Sequence, residues 1–131
     1  MTPREVFARM RESWLDPSGS MGTLLADDGV VEGPFAPPGR PKRWNGRAEF
    51  VQFAEPARAA FPIRFEEIRE LAVHDTTDPG TIVVEYEMSG VNTNTGTRGS
   101  AQFIGVLTVR DDQIVLWREY QDTMAIMAAT A

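Results

Sequence analysis

The chain has 131 residues, with 13 Lys and Arg against 19 Asp and Glu, one His, no Cys and a net charge of −6. That charge argues against a nucleic-acid or anionic-membrane partner, the lack of cysteine excludes disulfides and thiolate chemistry, and one histidine leaves too few ligands for zinc. The length suits one domain, residues 1–131, able to bury roughly two-thirds of its unfolded surface; with no secretory or membrane-spanning segment legible, a cytoplasmic protein is expected.

Thr2, Pro3 and Glu5 have the order of a capping box, with threonine at the N-cap and proline in the first helical position. Val6, Phe7, Met10 and Trp14 then recur at helical spacing as far as Leu15, where Asp16-Pro17 ends the helix. A second, shorter helix is expected over 20–26, stopped by Asp27, Asp28 and Gly29, before Val30 and Val31 open a strand that Pro34 closes. Residues 33–41 (GPFAPPGRP) read as a loop. Asn45 is the expected N-cap of a third helix running to Phe61, with Phe50, Phe53, Ala57 and Phe61 on one stripe. Pro56, inside it, is expected to kink it.

After Pro62 the pattern becomes that of strands over 63–73, 80–90, 100–110 and 114–122, joined by the turn sequences DTTDPG, VNTNTGTRG and DDQ. Three helices followed by an antiparallel meander read as an α+β fold, with helices covering one face of a curved sheet.

The last strand, IVLWREYQD, places Trp117 and Glu119 on one face. A carboxylate beside an indole in an apolar space raises its pKa or finds a donor, and both are routes to acid/base chemistry. The alternative for Glu119 is a rim or interface glutamate paired with Arg118 or Arg110. Tyr86 alternates with Ile82, Val84 and Met88 on a face that reads as inward, where its hydroxyl could stabilise an oxyanion or simply fill the core. In the opposite register Glu85 and Glu87 would enter the cavity with Glu119. Trp14, Trp44, Phe35, Phe53, Met88 and Trp117 are candidate walls of a pocket for a flat molecule or ordinary core residues. His74, ending a strand, reads as a solvated loop residue, Asp27 and Asp28 as a helix stop, and Arg40, Lys42 and Arg43 as a basic cluster near the loop. No P-loop, dinucleotide fingerprint, GxSxG or HExxH motif occurs.

Several of these residues carry a resemblance: Trp44-Asn45-Gly46, Phe61-Pro62, Asp78-Pro79-Gly80, Val84-Glu85-Tyr86 and Trp117-Arg118-Glu119-Tyr120. Together with the order of elements over most of 1–127, they resemble the NTF2-like superfamily in its SnoaL and ketosteroid-isomerase-like branch, closest to the PhzA/PhzB-type proteins and the limonene-type epoxide hydrolases. The resemblance implies a cone with an apolar pocket at its open end, a pocket carboxylate at Glu119, and a homodimer across the outer sheet face. The epoxide hydrolases add an Asp-x-Arg partner set on the strand matched by 82–88, which here has no arginine; Arg47 or Arg98 would have to replace it.

The expectation is therefore a cofactor-free and metal-free acid/base enzyme of isomerase or polyketide-cyclase type, acting on a small apolar carbonyl or polycyclic compound of secondary metabolism. Glu119 and Tyr86 are its expected catalytic residues, and Trp14, Trp44, Phe53, Met88 and Trp117 its binding residues. The alternatives are a ligand-binding or scaffold protein of the same fold and, third, an epoxide hydrolase.

Overall fold

The computed structural model describes residues 1–131. Helix α1 spans Pro3–Leu15 and a 3-10 turn spans Met21–Thr23. Strands β1 (Leu25–Glu32) and β2 (Arg43–Asn45) precede helix α2 (Arg47–Ala60). Strands β3 (Ile63–Asp75), β4 (Thr81–Asn92), β5 (Arg98–Arg110) and β6 (Gln113–Gln121) follow, and helix α3 (Thr123–Ala129) ends the fold. The six strands form one unclosed sheet in the order β2-β1-β6-β5-β4-β3, antiparallel except where β1 runs parallel to β6. Breaks of register in β1, β3 and between β5 and β6 give the sheet its curvature. This is the α+β cone of the NTF2-like fold, as the sequence led us to expect.

Local chemistry accounts for α1. The Thr2 hydroxyl accepts from Glu5 N, Pro3 lies in the first turn, and Glu5 does not return the bond. Val6, Phe7 and Met10 are 0–1% exposed and belong to the core cluster that also holds Tyr86, Leu107 and Ile114, Phe7 meeting the Tyr86 ring at 5.5 Å. Each such side chain contributes about 1.5–3 kcal/mol by leaving water. Helix α2 is different: its apolar stripe contains no buried residue, and it rests on β1, β2 and the 3-10 turn. It runs unbroken through Pro56 and stands as a wall facing the sheet.

Three expectations are corrected. The segment 20–26 makes only the 3-10 turn, capped by Ser20 Oγ accepting from Gly22 N at 3.0 Å. Leu25 and Ala26 are instead strand residues, buried next to β6, where Ile114 N donates to Leu24 O at 2.8 Å. Sheet pairing supplies there the hydrogen bonds that a short helix would leave unmade at its ends. Asp27 and Asp28 lie in the irregular part of β1 and are exposed, so they neither stop a helix nor enter the pocket.

Asn45 is not the N-cap of α2. That position is held by Gly46 at φ +97°, where a Cβ would lie 3.0 Å from Asp27 O, while Asn45 N donates to Glu49 Oε2 at 2.8 Å. Finally, the helices do not all precede the sheet. The third α-helix is C-terminal, begun by Asp122, whose carboxylate accepts from Ala125 N.

Candidate active site

The sheet's concave face, α2, α3 and the loop 33–41 enclose a cleft of about 390 Å³. Its walls include Trp14, Trp44, Phe53, Met88 and Trp117, the five expected binding residues. Sequence spacing explains the sheet's contribution: in β4 and β5 every second residue faces inward, Ile82, Val84 and Tyr86 pairing beside Leu107, Gly105 and Phe103. Trp117 lies flat across Gly105, where a Cβ would come within 2.1 Å of the indole. Trp44 on β2 meets Phe53 at 4.8 Å and Phe50 at 5.6 Å, joining the edge of the sheet to α2.

Glu119 enters this cleft from β6, one pleat beyond Trp117. No Lys, Arg or His lies within ion-pair distance of it. Arg118 and Arg110, the partners it would have as a rim residue, are taken up by Glu32 and Asp78. The polar contact Glu119 makes is with Tyr86, whose hydroxyl donates to Oε2. Burial in apolar surroundings pushes the Glu119 pKa up, and the tyrosine bond pulls it down by a smaller amount. The same burial, reinforced by the adjacent carboxylate, raises the Tyr86 pKa well above the phenol range, so Tyr86 acts only as a donor. Glu119 lines the cleft, and its other oxygen has no hydrogen-bond partner within the protein.

The register of β4 is thereby settled. Tyr86 is inward and 0% exposed, whereas Glu85 and Glu87 face outward and pair with His74 and Arg69. Tyr86 is not among the cleft-lining side chains; its hydroxyl is bonded to Glu119, which is. The oxyanion role expected of Tyr86 would need that hydroxyl to reach a ligand, and here it donates to Glu119. Phe35 also leaves the expected set: it is 59% exposed and packs edge-on against Tyr120 in a separate groove on the outer face.

Of the basic cluster, Arg40 reaches the cleft mouth, 5.8 Å over the Phe53 ring. Arg43 pairs with Glu32. Arg47 is held by Leu25 O and Asp27, and Arg98 by Glu66, so neither supplies a guanidinium beside Glu119. The sequence reading missed the wall made by Ile126 and Met127 of α3 and by Ala101 and Phe103 of β5. The Asp122 cap was the available signal for α3, but a helix of seven residues carries too little periodicity to be read without its packing. No three acidic, His or Cys side chains converge as a metal site, and no helix is long and apolar enough to cross a membrane.

The family model of the SnoaL-like domain matches residues 6–117, from within α1 through β5 and along β6 as far as Trp117. The chain belongs to the SnoaL-like domain family. A relative within reach by sequence is an uncharacterized PhzA/B-like protein of Pseudomonas aeruginosa, 30% identical over 106 residues, 81% of this chain and 73% of that protein. Among solved structures, a candidate isomerase of Bacillus subtilis superposes with a TM-score of 0.87 at 25% identity, covering 97% of this chain and 91% of the other. The Δ5-3-ketosteroid isomerase of a Mycobacterium species superposes with a TM-score of 0.73 at 20% identity, covering 95% and 97%. At that identity the likeness shows the fold alone, and the chemistry of this SnoaL-like chain has to be argued from its own cleft.

Proposed function

We propose that this SnoaL-like protein is a cofactor-free acid/base enzyme of isomerase or cyclase type, acting on a small, largely apolar carbonyl compound or polycyclic intermediate. The observation that carries this reading is one carboxylate, free of any cation and fixed by a buried phenol, in a cleft walled by aromatic rings. The Bacillus subtilis structure named as an isomerase, 25% identical, supports the class.

In the reaction we infer, Tyr86 holds Oε2 and the other oxygen of Glu119 faces the substrate. The ionised carboxylate takes a proton from the carbon next to the carbonyl. The C–H electron pair moves into an enolate, and Glu119 becomes the neutral acid. It then returns the proton at a different carbon, or at the oxygen. Desolvation raises the pKa toward working pH, which matches the base to the task. Trp117 and Trp44, with Trp14, Phe53 and Met88, would hold the substrate's apolar body. Epoxide opening is not proposed, because the cation it would require is absent beside Glu119.

The test is α-proton exchange of cyclic ketones in D2O, followed by proton NMR. Exchange that is catalysed by the protein and falls at least about 10²-fold in Glu119→Gln supports the reading. Exchange unaffected by that substitution removes Glu119 from the mechanism and leaves a ligand-binding protein of the same fold.

We also infer a homodimer across the outer sheet face. There Ile104 and Leu71 are 44% and 41% exposed beside the Phe35–Tyr120 groove, an apolar surface that no helix of this chain covers. Sedimentation equilibrium should return twice the chain mass at micromolar concentration; a monomer at all concentrations would refute it.

A further inference from the structure

Helix α1 ends without a basic residue in its last turn, so beyond the Asp16 N–H that meets Glu12 O it brings no cation to its terminal carbonyls. They are met from another element. Arg58 of α2 donates from Nη2 to Trp14 O at 3.1 Å and to Asp16 O, and from Nη1 to Gly19 O. A guanidinium is suited to this, since its fork of donors spans several carbonyls and its charge faces the negative end of a helix. These are also the side-chain hydrogen bonds that tie residues 50–60 to another element. Two residues earlier, Pro56 removes an internal bond of α2, leaving that turn the more dependent on outside support.

What Arg58 holds leads to the carboxylate. Trp14 lies in the last turn of α1, and its indole stacks on Tyr86 at 5.7 Å and 26° and packs against Trp117 at 5.8 Å. Tyr86 in turn donates to Glu119. We propose that Arg58 is a positioning residue for Glu119: it fixes the end of α1 so that Trp14 closes the cleft behind the Tyr86–Glu119 pair and keeps water from it. The proposal deepens the acid/base reading and rests on it where turnover is concerned. Tyr86 is the titratable group in contact with Glu119. The others lining the cleft are Glu32, which lies 3.7 Å from both Arg43 and Arg118, and the cations Arg40 and Arg58.

The test compares Arg58→Met, which keeps the aliphatic stem and loses the fork, with Arg58→Lys and Trp14→Leu. The carboxyl of Glu119 is titrated in the ligand-free protein by carbon-13 NMR and assigned with Glu119→Gln. In Arg58→Met the Glu119 midpoint should fall toward that of an ordinary glutamate, because water enters where Trp14 moved. The value of kcat should fall roughly tenfold with KM changed less, and Arg58→Lys should restore part of both. Trp14→Leu, which leaves the Arg58 bonds in place, should lower the midpoint in the same way.

Loss of a nearby positive charge acting through space would instead raise the midpoint, and a rise would overturn the proposal. So would an unchanged midpoint accompanied only by a lower melting temperature, the result of a contact that merely fastens a helix end. If Arg58→Met does not fold, Trp14→Leu decides alone, an unchanged midpoint refuting the proposal. The titration does not depend on turnover. If Glu119→Gln keeps full activity, the catalytic reading falls while the midpoint still decides what Arg58 does.

Discussion

The two faces of the same sheet treat carboxylates in opposite ways. On the outer face Glu85 and Glu87 stand among partners, His74 and Arg69, in contact with water. On the inner face Glu119 has no cation and is met by one phenol. In water an ion pair is cheap to form and cheap to lose, and exposed pairs are worth about 0–1 kcal/mol. Inside a cleft of aromatic rings desolvation raises the pKa of a lone carboxylate, so it binds a proton more readily than the outer ones do. Residue type is the same on both sides; the parity of a strand position separates a surface charge from a candidate proton carrier.

The sharpest way to break that comparison is to remove the inner charge. Glu119→Gln should abolish at least about 99% of turnover while circular dichroism and the melting temperature at pH 5 stay close to those of the parent. An active variant would make the inner carboxylate no different in kind from the outer ones.

Next in size is the packing that makes the inner face apolar. Gly105→Ala would drive a methyl into the indole of Trp117, which is 3% exposed and has no space to yield. We expect a loss of about 1–3 kcal/mol in denaturant unfolding, together with altered ligand affinity.

The pH dependence sharpens the contrast further. The Glu119 pKa is raised in the folded state, so the native protein holds this proton where the unfolded chain has released it. Stability from this group is complete below the unfolded value near 4.3 and is lost as pH rises from there through the folded pKa. Urea midpoints taken across that window should fall with pH in the parent and fall less in Glu119→Gln. Tyr86→Phe removes the one bond that favours the ionised carboxylate, so the acid limb of the rate profile should move to higher pH, with about 1–3 kcal/mol lost in stability. A limb shifted the other way would mean that the phenol does not support the carboxylate.

The smallest effect belongs outside. His74→Gln, which breaks an exposed pair with Glu85, should change stability by under about 1 kcal/mol and leave turnover untouched. A large effect on turnover there would mean that the outer face takes part in the chemistry.

Much of this arrangement is written in local patterns. The α1 stripe of Val6, Phe7, Met10 and Trp14, the four long strands, and the shared face of Trp117 and Glu119 follow from periods of 3.6 and 2 that any chain with these residues must obey. The resemblance carried by Trp44-Asn45-Gly46 and Trp117-Arg118-Glu119-Tyr120 added the cone and its pocket. What local patterns could not give are the facts that depend on partners distant in sequence. Leu25 joins a strand because β6 offers it hydrogen bonds from some ninety residues away. Which face of β4 is inward was decided by Ile82, Val84 and Tyr86 packing under α1, since its own alternation of apolar and acidic residues was compatible with either assignment until a helix covered one side. The pairing of Tyr86 with Glu119, and the hold of Arg58 on the end of α1, join residues 33 and 44 or fewer positions apart across different elements. Sequence alone determined which residues could share a face; only the tertiary structure decided which faces meet, because desolvation and hydrogen bonding between elements depend on distances that no local period encodes.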